Sequence, residues 1–184
     1  GGAQERGLRA GTPDVRAMVG FGAACELLAE RLAAQPRIAA QRDRIEALLA
    51  AIGNPERSMT LAQVAGTNGK GSVSAMLAAM VQATGRRVGL YSSPHLVDLR
   101  ERIQVDGRPI PEADLADGVD ALGTLIARLD ATMFEALTAL ALDHFAREGV
   151  EVAVLEVGLG GRLDSTTVGR PAVEVITSID YDHQ

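Results

Sequence analysis

The residues with the clearest potential for chemistry form a glycine-rich turn between an apolar run and a helical pattern. The run from Leu61 to Ala65 leads into the turn, which reads Gly66-Thr67-Asn68-Gly69-Lys70-Gly71-Ser72. After the turn, apolar side chains recur at helical spacing, at Val73, Met76, Leu77, Met80 and Val81. This order predicts a strand, a tight turn and a helix.

A turn of this kind favours the binding of an anion. Glycines let the backbone approach the anion closely, and the amide groups of the first helical turn point toward it. Lys70 adds a mobile positive charge suited to the β- and γ-phosphates, and Ser72 offers a hydroxyl group to a magnesium ion. We therefore predict a loop that binds a nucleoside triphosphate.

The turn departs from the common phosphate-loop pattern at two places. That pattern has a glycine six residues before the lysine and a hydroxyl residue directly after it. Here Val64 and Gly71 occupy those positions, and the hydroxyl of Ser72 comes one residue late. On these residues alone, a turn that merely joins a strand to a helix stays as the alternative.

Polar residues also follow other predicted strands. They are Ser92-Ser93-Pro94-His95 after residues 87–91, Glu156 after the apolar run 152–155, and Asp182-His183 after residues 173–179. Ligands of α/β folds bind at the carboxyl ends of parallel strands. A carboxylate at the end of a buried strand, facing a phosphate loop, is suited to anchor magnesium.

Some of these side chains have simpler structural alternatives. Glu156 can be a solvated strand end, and His183 can bond to the backbone at the end of its strand. His95 stays unassigned, because a role in packing or loop ordering is an equal alternative. His144 lies within a helical pattern and is predicted to be structural.

The composition excludes several classes of function. The net charge is −6 and no basic run is present, which argues against a nucleic-acid partner. Cys25 is the single cysteine, so the chain has neither a disulfide framework nor a cysteine metal cluster. No apolar segment reaches transmembrane length and no signal peptide is visible, although residue 1 is glycine and the natural start can lie upstream. A cytoplasmic protein is expected.

The remaining pattern predicts further elements of an α/β fold. Helices are expected over residues 37–52, 112–129 and 133–148, and Asp106-Gly107 is expected to form the two-residue turn of a hairpin. In the helix over residues 112–129, apolar side chains are predicted to face inward at Leu115, Val119, Leu122, Ile126 and Leu129. We predict a phosphate-loop-type parallel sheet flanked by helices.

Residues 1–35 read as a separate, appended loop-helix segment, with residues 36–184 forming the ATP-binding part. Thr12 can cap a helix that begins at Pro13. Residues 1–34 resemble a C-terminal segment of the cysteine desulfurases, in which the arginine corresponding to Arg9 holds the substrate carboxylate. This segment contains no lysine for pyridoxal phosphate, and desulfurase activity is not expected.

From about Arg44 to Gln184 the chain resembles the N-terminal part of the folylpolyglutamate synthase and dihydrofolate synthase family, within the Mur ligase superfamily. Several ordered motifs carry the resemblance, and the late hydroxyl at Ser72 is this family's own form. They are residues 66–72, Tyr91-Ser92-Ser93-Pro94-His95-Leu96, Glu101-Arg102-Ile103, Phe134-Glu135, Glu156-Val157-Gly158-Leu159-Gly160-Gly161-Arg162-Leu163-Asp164, and Asp182-His183.

The resemblance implies an ATP-dependent amide ligase. A pterin-linked carboxylate, from dihydropteroate or folate, would take the γ-phosphoryl group of ATP, and L-glutamate would displace phosphate from the acyl phosphate. Positioning and charge neutralisation are then the main tasks of the protein. The sequence leaves open whether the enzyme makes dihydrofolate, extends polyglutamate chains or does both.

The same resemblance assigns roles to individual residues. Residues 69–72 would hold the triphosphate, with Lys70 on the β- and γ-phosphates. Ser93 and Glu156 would hold one magnesium ion, and His183 the second. Loops that contact the pterin substrate correspond to Thr132, Met133, Phe134 and Glu135 and to Leu163, Asp164 and Ser165. Thr167 stands where the family has asparagine, so the geometry of its loop is open.

Family members continue well beyond the part that this chain matches. Their ATPase domain includes a lysine that becomes carbamylated, and a C-terminal domain helps to bind ATP and glutamate. We therefore expect the present chain to be an incomplete catalyst. The full-length enzyme is expected to be a monomer. A cysteine desulfurase fragment and a non-catalytic nucleotide-binding module are the alternatives.

Overall fold

The computed structural model describes residues 3–4, 9–10, 41–161 and 164–179. The chain divides into two compact units, Gly1–Ile38 and Ala39–Gln184. In the first unit, β1 (Ala3–Gln4) pairs with β2 (Arg9–Ala10) in antiparallel fashion. The helix predicted to begin at Pro13 lies outside the described residues.

The second unit is built on a six-stranded sheet. Its helices are α1 over residues 41–51, α2 (Lys70–Gln82), α3 (Glu112–Leu129) and α4 (Met133–Arg147). Its strands are β3 (Thr60–Ala65), β4 (Val88–Tyr91), β5 (Ile103–Val105), β6 (Arg108–Pro109), β7 (Val152–Glu156) and β8 (Val173–Ile176). Short 3-10 helices cover Pro55–Ser58 and Leu99–Arg102.

The strand order is β6-β5-β4-β7-β3-β8, and the four strands β4, β7, β3 and β8 run parallel. Strand β7 is buried along its whole length, as its apolar run predicts. Ala153 and Leu155 join one hydrophobic cluster and Val154 joins another. Alternate residues of a strand point to opposite faces, so helices cover both faces of the sheet. The predicted α/β class is confirmed.

The hairpin β5–β6 extends the sheet on one side. Val105 pairs with Arg108, which leaves Asp106 and Gly107 as a two-residue turn with φ values of 50° and 76°. Positive φ at both positions is the geometry that Asp-Gly favours in hairpins. The hairpin begins at Ile103. Leu99–Arg102 before it is a 3-10 helix, whose start is stabilised by a capping box of Asp98 and Glu101.

Two exposed faces differ from the sequence pattern. Val119, predicted to face inward, is 45% exposed, and Met76 and Met80 on α2 are 56% and 62% exposed. Strand β8 ends at Ile176, short of the predicted Ile179, and among the described residues it pairs with β3 alone. Met76, Met80 and Val175 line part of an open apolar groove of about 500 Å³. Periodicity identifies an apolar stripe, but it does not specify which neighbour covers it.

A close approach between the sheet and α4 occurs at Gly89. A Cβ atom at Gly89 would lie 2.8 Å from ring atoms of the buried Phe145. We expect Gly89→Ala to lower the free energy of unfolding by about 1–3 kcal/mol, as overpacked cores do. Gly123→Ala on α3 is the matched control, since no atom lies within 4 Å of its Cβ and the helix gains propensity. Urea unfolding measures both, and equal stability of the two variants would contradict the expectation.

No helix among the described residues is long and apolar enough to cross a membrane.

Candidate functional site

The predicted phosphate loop joins the end of β3 to the start of α2. Gly66 has φ of 130° and Gly69 has φ of 81°, both in the region that favours glycine. A side chain at Gly66 would also collide with the side chain of Thr177. The loop is tied to the segment after β8, because the Thr67 backbone N donates to the Ser178 carbonyl at 2.8 Å.

Lys70 is the first residue of α2 and folds back over the loop. Its Nζ donates to the carbonyl oxygens of Gly66, at 2.9 Å, and Thr67, at 3.0 Å. The ammonium group is therefore held at the turn itself, where a bound phosphate would meet it. Gly71 and Ser72 follow in the first turn of the helix and are exposed.

Glu156 ends β7 directly across from the loop. It is 3% exposed, and its Oε2 accepts from the backbone N of Ser93 at 3.0 Å. A Cβ atom at Gly71 would lie 3.7 Å from both carboxylate oxygens. Burial raises the pKa of Glu156, while the Ser93 amide and the Lys70 charge act in the opposite direction.

These contacts bring Glu156, Ser93 and the start of α2 together at one edge of the sheet. A carboxylate and a hydroxyl residue are the oxygen donors that magnesium prefers, so the residues present fit that ion. The absence of a side chain at Gly71 keeps the space beside the carboxylate open. His183, the predicted ligand of a second ion, lies outside the described residues.

The predicted substrate loop at residues 132–135 forms the first turn of α4. Thr132 caps the helix through a capping box with Glu135. Glu135 is fully buried, and its carboxylate also accepts hydrogen bonds from Nε and Nη2 of Arg44 on α1, at 2.9 Å each. The Glu135 carboxylate thus links the first turn of α4 to Arg44 of α1.

Two side chains of this loop differ in exposure. Met133 is 60% exposed. The ring of Phe134 packs against that of Tyr91, with centroids 5.7 Å apart, and against Gly158, where a Cβ would lie 2.6 Å from the ring. Phe134 is therefore held at a defined place beside the carboxyl end of β4.

The second predicted substrate loop, at residues 163–165, lies in a stretch held by side-chain hydrogen bonds among residues 159–167. Asp164 accepts from the backbone N of Leu159 at 3.0 Å and from the backbone N of Thr166 at 2.9 Å. Ser165 is buried, and Leu163 lies outside the described residues. Thr167, at the position of the family's asparagine, donates to the Gly161 carbonyl at 3.0 Å and accepts from Gln63 at 2.6 Å.

Sequence reasoning gave no role to Arg44 or His95. Arg44 pairs with a carboxylate 91 residues away, and His95 Nδ1 accepts from Arg102 Nε at 2.9 Å. The Glu101-Arg102-Ile103 motif was a signal for the contact between Arg102 and His95. Neither spacing nor periodicity indicates the contact between Arg44 and Glu135.

A separate group of potential metal ligands lies on α3 and α4. One ligand atom from each of Asp114, His144 and Glu148 lies within 4.8 Å of the others. His144 is 3% exposed, and its Nδ1 is 3.7 Å from Asp114 Oδ2. Burial lowers the pKa of His144, against the opposing effect of Asp114.

A parallel sheet with a glycine-rich loop leading into a helix, and a buried carboxylate across that loop, defines a phosphate-loop type of α/β domain. Residues 64–184 match the family described as the Mur ligase middle domain. The chain therefore belongs to the Mur ligases, and its relatives place it in the folylpolyglutamate synthase and dihydrofolate synthase family, as the motifs predicted.

Three similar proteins illustrate the relationship. Folylpolyglutamate synthase of Lacticaseibacillus casei is 43% identical over 158 residues, which cover 81% of this chain and 37% of that protein. The structure of Mycobacterium tuberculosis folylpolyglutamate synthase complexed with ADP and AMPPCP superposes with a TM-score of 0.75 at 41% identity, covering 85% of this chain and 38% of that one. A folylpolyglutamate synthase complex with AMPPCP and folate gives a TM-score of 0.73 at 43% identity, covering 79% of this chain and 37% of that one. This chain thus spans less than two fifths of each relative.

Proposed function

We propose that this chain is the nucleotide-binding part of an ATP-dependent ligase that joins L-glutamate to dihydropteroate or folate. The observation that carries the proposal is the position of Glu156. Its buried carboxylate lies beside Gly71 of the phosphate loop and accepts from Ser93, so one edge of the sheet offers both a phosphate site and oxygen donors for magnesium.

The chemistry follows from these positions. Residues 66–72 hold the triphosphate, with Lys70 on the β- and γ-phosphates, and the helix α2 adds the positive end of its dipole. Ser93 and Glu156 hold a magnesium ion, which supplies neutralisation of phosphate charge when bound. His183 is proposed for a second ion. Lys70, Glu156 and His183 form the proposed catalytic set, and Ser93 serves as a metal ligand alone.

The substrate carboxylate attacks the γ-phosphorus, and the bond to the β-γ bridging oxygen breaks, which releases ADP and forms an acyl phosphate. The glutamate amino group then attacks the acyl carbon, loses a proton and expels phosphate. The proposed pterin site comprises residues 132–135 and 163–165, beside the carboxyl end of β4. The full-length enzyme is proposed to be a cytoplasmic monomer.

Calorimetric titration tests the nucleotide site directly. AMPPCP is expected to bind this chain more tightly with magnesium than without it, and dihydropteroate is expected to bind in the presence of both. Magnesium-dependent AMPPCP binding without any dihydropteroate binding would favour the alternative, a nucleotide-binding module that does not use pterins. The resemblance of residues 1–34 to the cysteine desulfurases, and the domain boundary at residue 35, stay predictions.

The role of Glu156 has its own test. Glu156→Gln keeps the shape of the side chain and removes the charge, so we expect the magnesium-dependent gain in AMPPCP affinity to fall about tenfold. Affinity without magnesium is expected to change by less than about twofold. Glutamine carries no charge to desolvate, and stability without metal is therefore not expected to fall.

Glu174→Gln, at an exposed position on β8, is the matched control and is expected to leave both affinities unchanged. An equal loss of affinity in Glu156→Gln with and without magnesium would contradict the assigned role.

A further inference from the structure

Arg102 is a buried charge for which the described part of the chain supplies no acidic partner. It ends the 3-10 helix Leu99–Arg102 and is 8% exposed. Among the residues that the structure describes, no carboxylate lies within 4.0 Å of its guanidinium, whereas the neighbouring Arg100 pairs with Asp98 at 2.6 Å. Charged groups that are buried and unpaired are costly, so most are matched by a counter-charge.

Arg102 bonds to two polar side chains, and neither is a carboxylate. Its Nε donates to His95 Nδ1 at 2.9 Å. The second neighbour is the buried Tyr91 hydroxyl, which also accepts from the Thr138 hydroxyl at 3.3 Å. Neither neighbour is an acidic partner for the guanidinium.

The position of Arg102 links the two halves of the proposed site. Its carbonyl oxygen accepts from the backbone N of Ser92 at 3.0 Å, and the next residue, Ser93, donates its backbone N–H to Glu156. Tyr91, which contacts the Arg102 side chain, also packs against Phe134 of the proposed pterin loop. Arg102 thus neighbours both the magnesium ligands and the pterin loop.

We propose that Arg102, oriented by His95, binds the carboxylate of the pterin-linked substrate. The inference rests on the proposed ligase function and adds a residue to its substrate site. Nε is held by His95 and another donor of the guanidinium by the Tyr91 hydroxyl. The donors that remain on the terminal nitrogens are offered to an anion, in the planar arrangement that matches a carboxylate. His95 is then a positioning residue, which keeps the guanidinium plane fixed.

The first test compares two ligands on the unaltered chain, in the presence of AMPPCP and magnesium. One is dihydropteroate, and the other is its carboxamide, which has the same shape and no negative charge. We expect the carboxylate to bind at least about tenfold more tightly, the usual value of a charge-assisted contact. Equal affinities would overturn the role of Arg102 and leave the ligase function standing. Binding of AMPPCP but of neither pterin ligand would overturn both.

The second test locates the preference at Arg102. Arg102→Gln is expected to bind the carboxylate and the carboxamide equally, with AMPPCP affinity unchanged as evidence that the chain is folded. Arg100→Gln, two residues away on the same 3-10 helix, is the control and should keep the full preference for the carboxylate. His95→Gln should lose part of the preference. A preference that survives in Arg102→Gln would overturn the proposal. If that variant does not fold, His95→Gln decides it, because a full preference in that variant, with AMPPCP affinity kept, would overturn the proposal as well.

Discussion

Replacing Arg44 with methionine is expected to lower the free energy of unfolding by about 3–5 kcal/mol, the usual cost of removing one partner from a buried ion pair. Glu135 is fully buried, and both of its oxygens are engaged by the Arg44 guanidinium at 2.9 Å. Without Arg44, the Thr132 amide at 2.8 Å remains as the contact to this carboxylate. Urea unfolding with and without the substitution measures the loss.

Two further variants separate the buried charge from other effects. Arg42→Met, on the same helix, removes an exposed pair with Glu46 and is expected to cost no more than about 0.5 kcal/mol. Glu135→Gln combined with Arg44→Met removes both charges, and we expect it to recover much of the stability lost in Arg44→Met. If Arg44→Met and Arg42→Met proved equally stable, the ion pair would not be what secures the start of α4.

The second large effect is expected at Lys70, which is the only lysine in the sequence. Lys70→Ala should weaken the binding of magnesium-AMPPCP by about 10- to 150-fold, because a charge-assisted contact contributes about 1.5–3 kcal/mol. In the free chain, the ammonium group already donates to the carbonyls of Gly66 and Thr67. Because a phosphate would replace those contacts, we expect a value toward the lower end of the range.

Calorimetry of the two proteins gives the affinity, and chemical modification gives an independent measure. Since Lys70 is the single lysine, an amine-reactive reagent reports on this side chain and on the amino terminus alone. AMPPCP with magnesium is expected to slow the modification of Lys70 and not that of the terminus. Two results together would contradict the phosphate-loop role: an unchanged AMPPCP affinity in Lys70→Ala, and modification of Lys70 that AMPPCP with magnesium does not slow. The glycine-rich turn would then only connect the strand to the helix.

Local chemistry explains why much of the fold could be predicted. The bounds of α3 match the expected helix over residues 112–129, and the Asp106-Gly107 turn adopts the positive φ values that this dipeptide favours. The buried strand β7 followed from its unbroken apolar run. Each of these features depends on residues that are close together in the chain, where propensity and periodicity act.

The errors arise where a distant element decides the outcome. Val119, Met76 and Met80 fit the apolar stripes of their helices, yet all three are exposed, because the covering neighbour is set by packing and not by the period. Strand β8 is shorter than expected, and in the described part of the chain it pairs with β3 alone.

The candidate site shows the same division. The sequence specifies the donors and the loops that carry them, since glycine, lysine and carboxylate chemistry is local to each motif. Their assembly depends on the strand order β4-β7-β3, which sets Ser93 beside Glu156 and Glu156 across from Gly71. Glu135 with Arg44, and Arg102 with His95, likewise meet through packing. Which charge is buried, and which neighbour compensates it, is settled by contacts between elements, because burial and pairing have no signature in the spacing of residues along the chain.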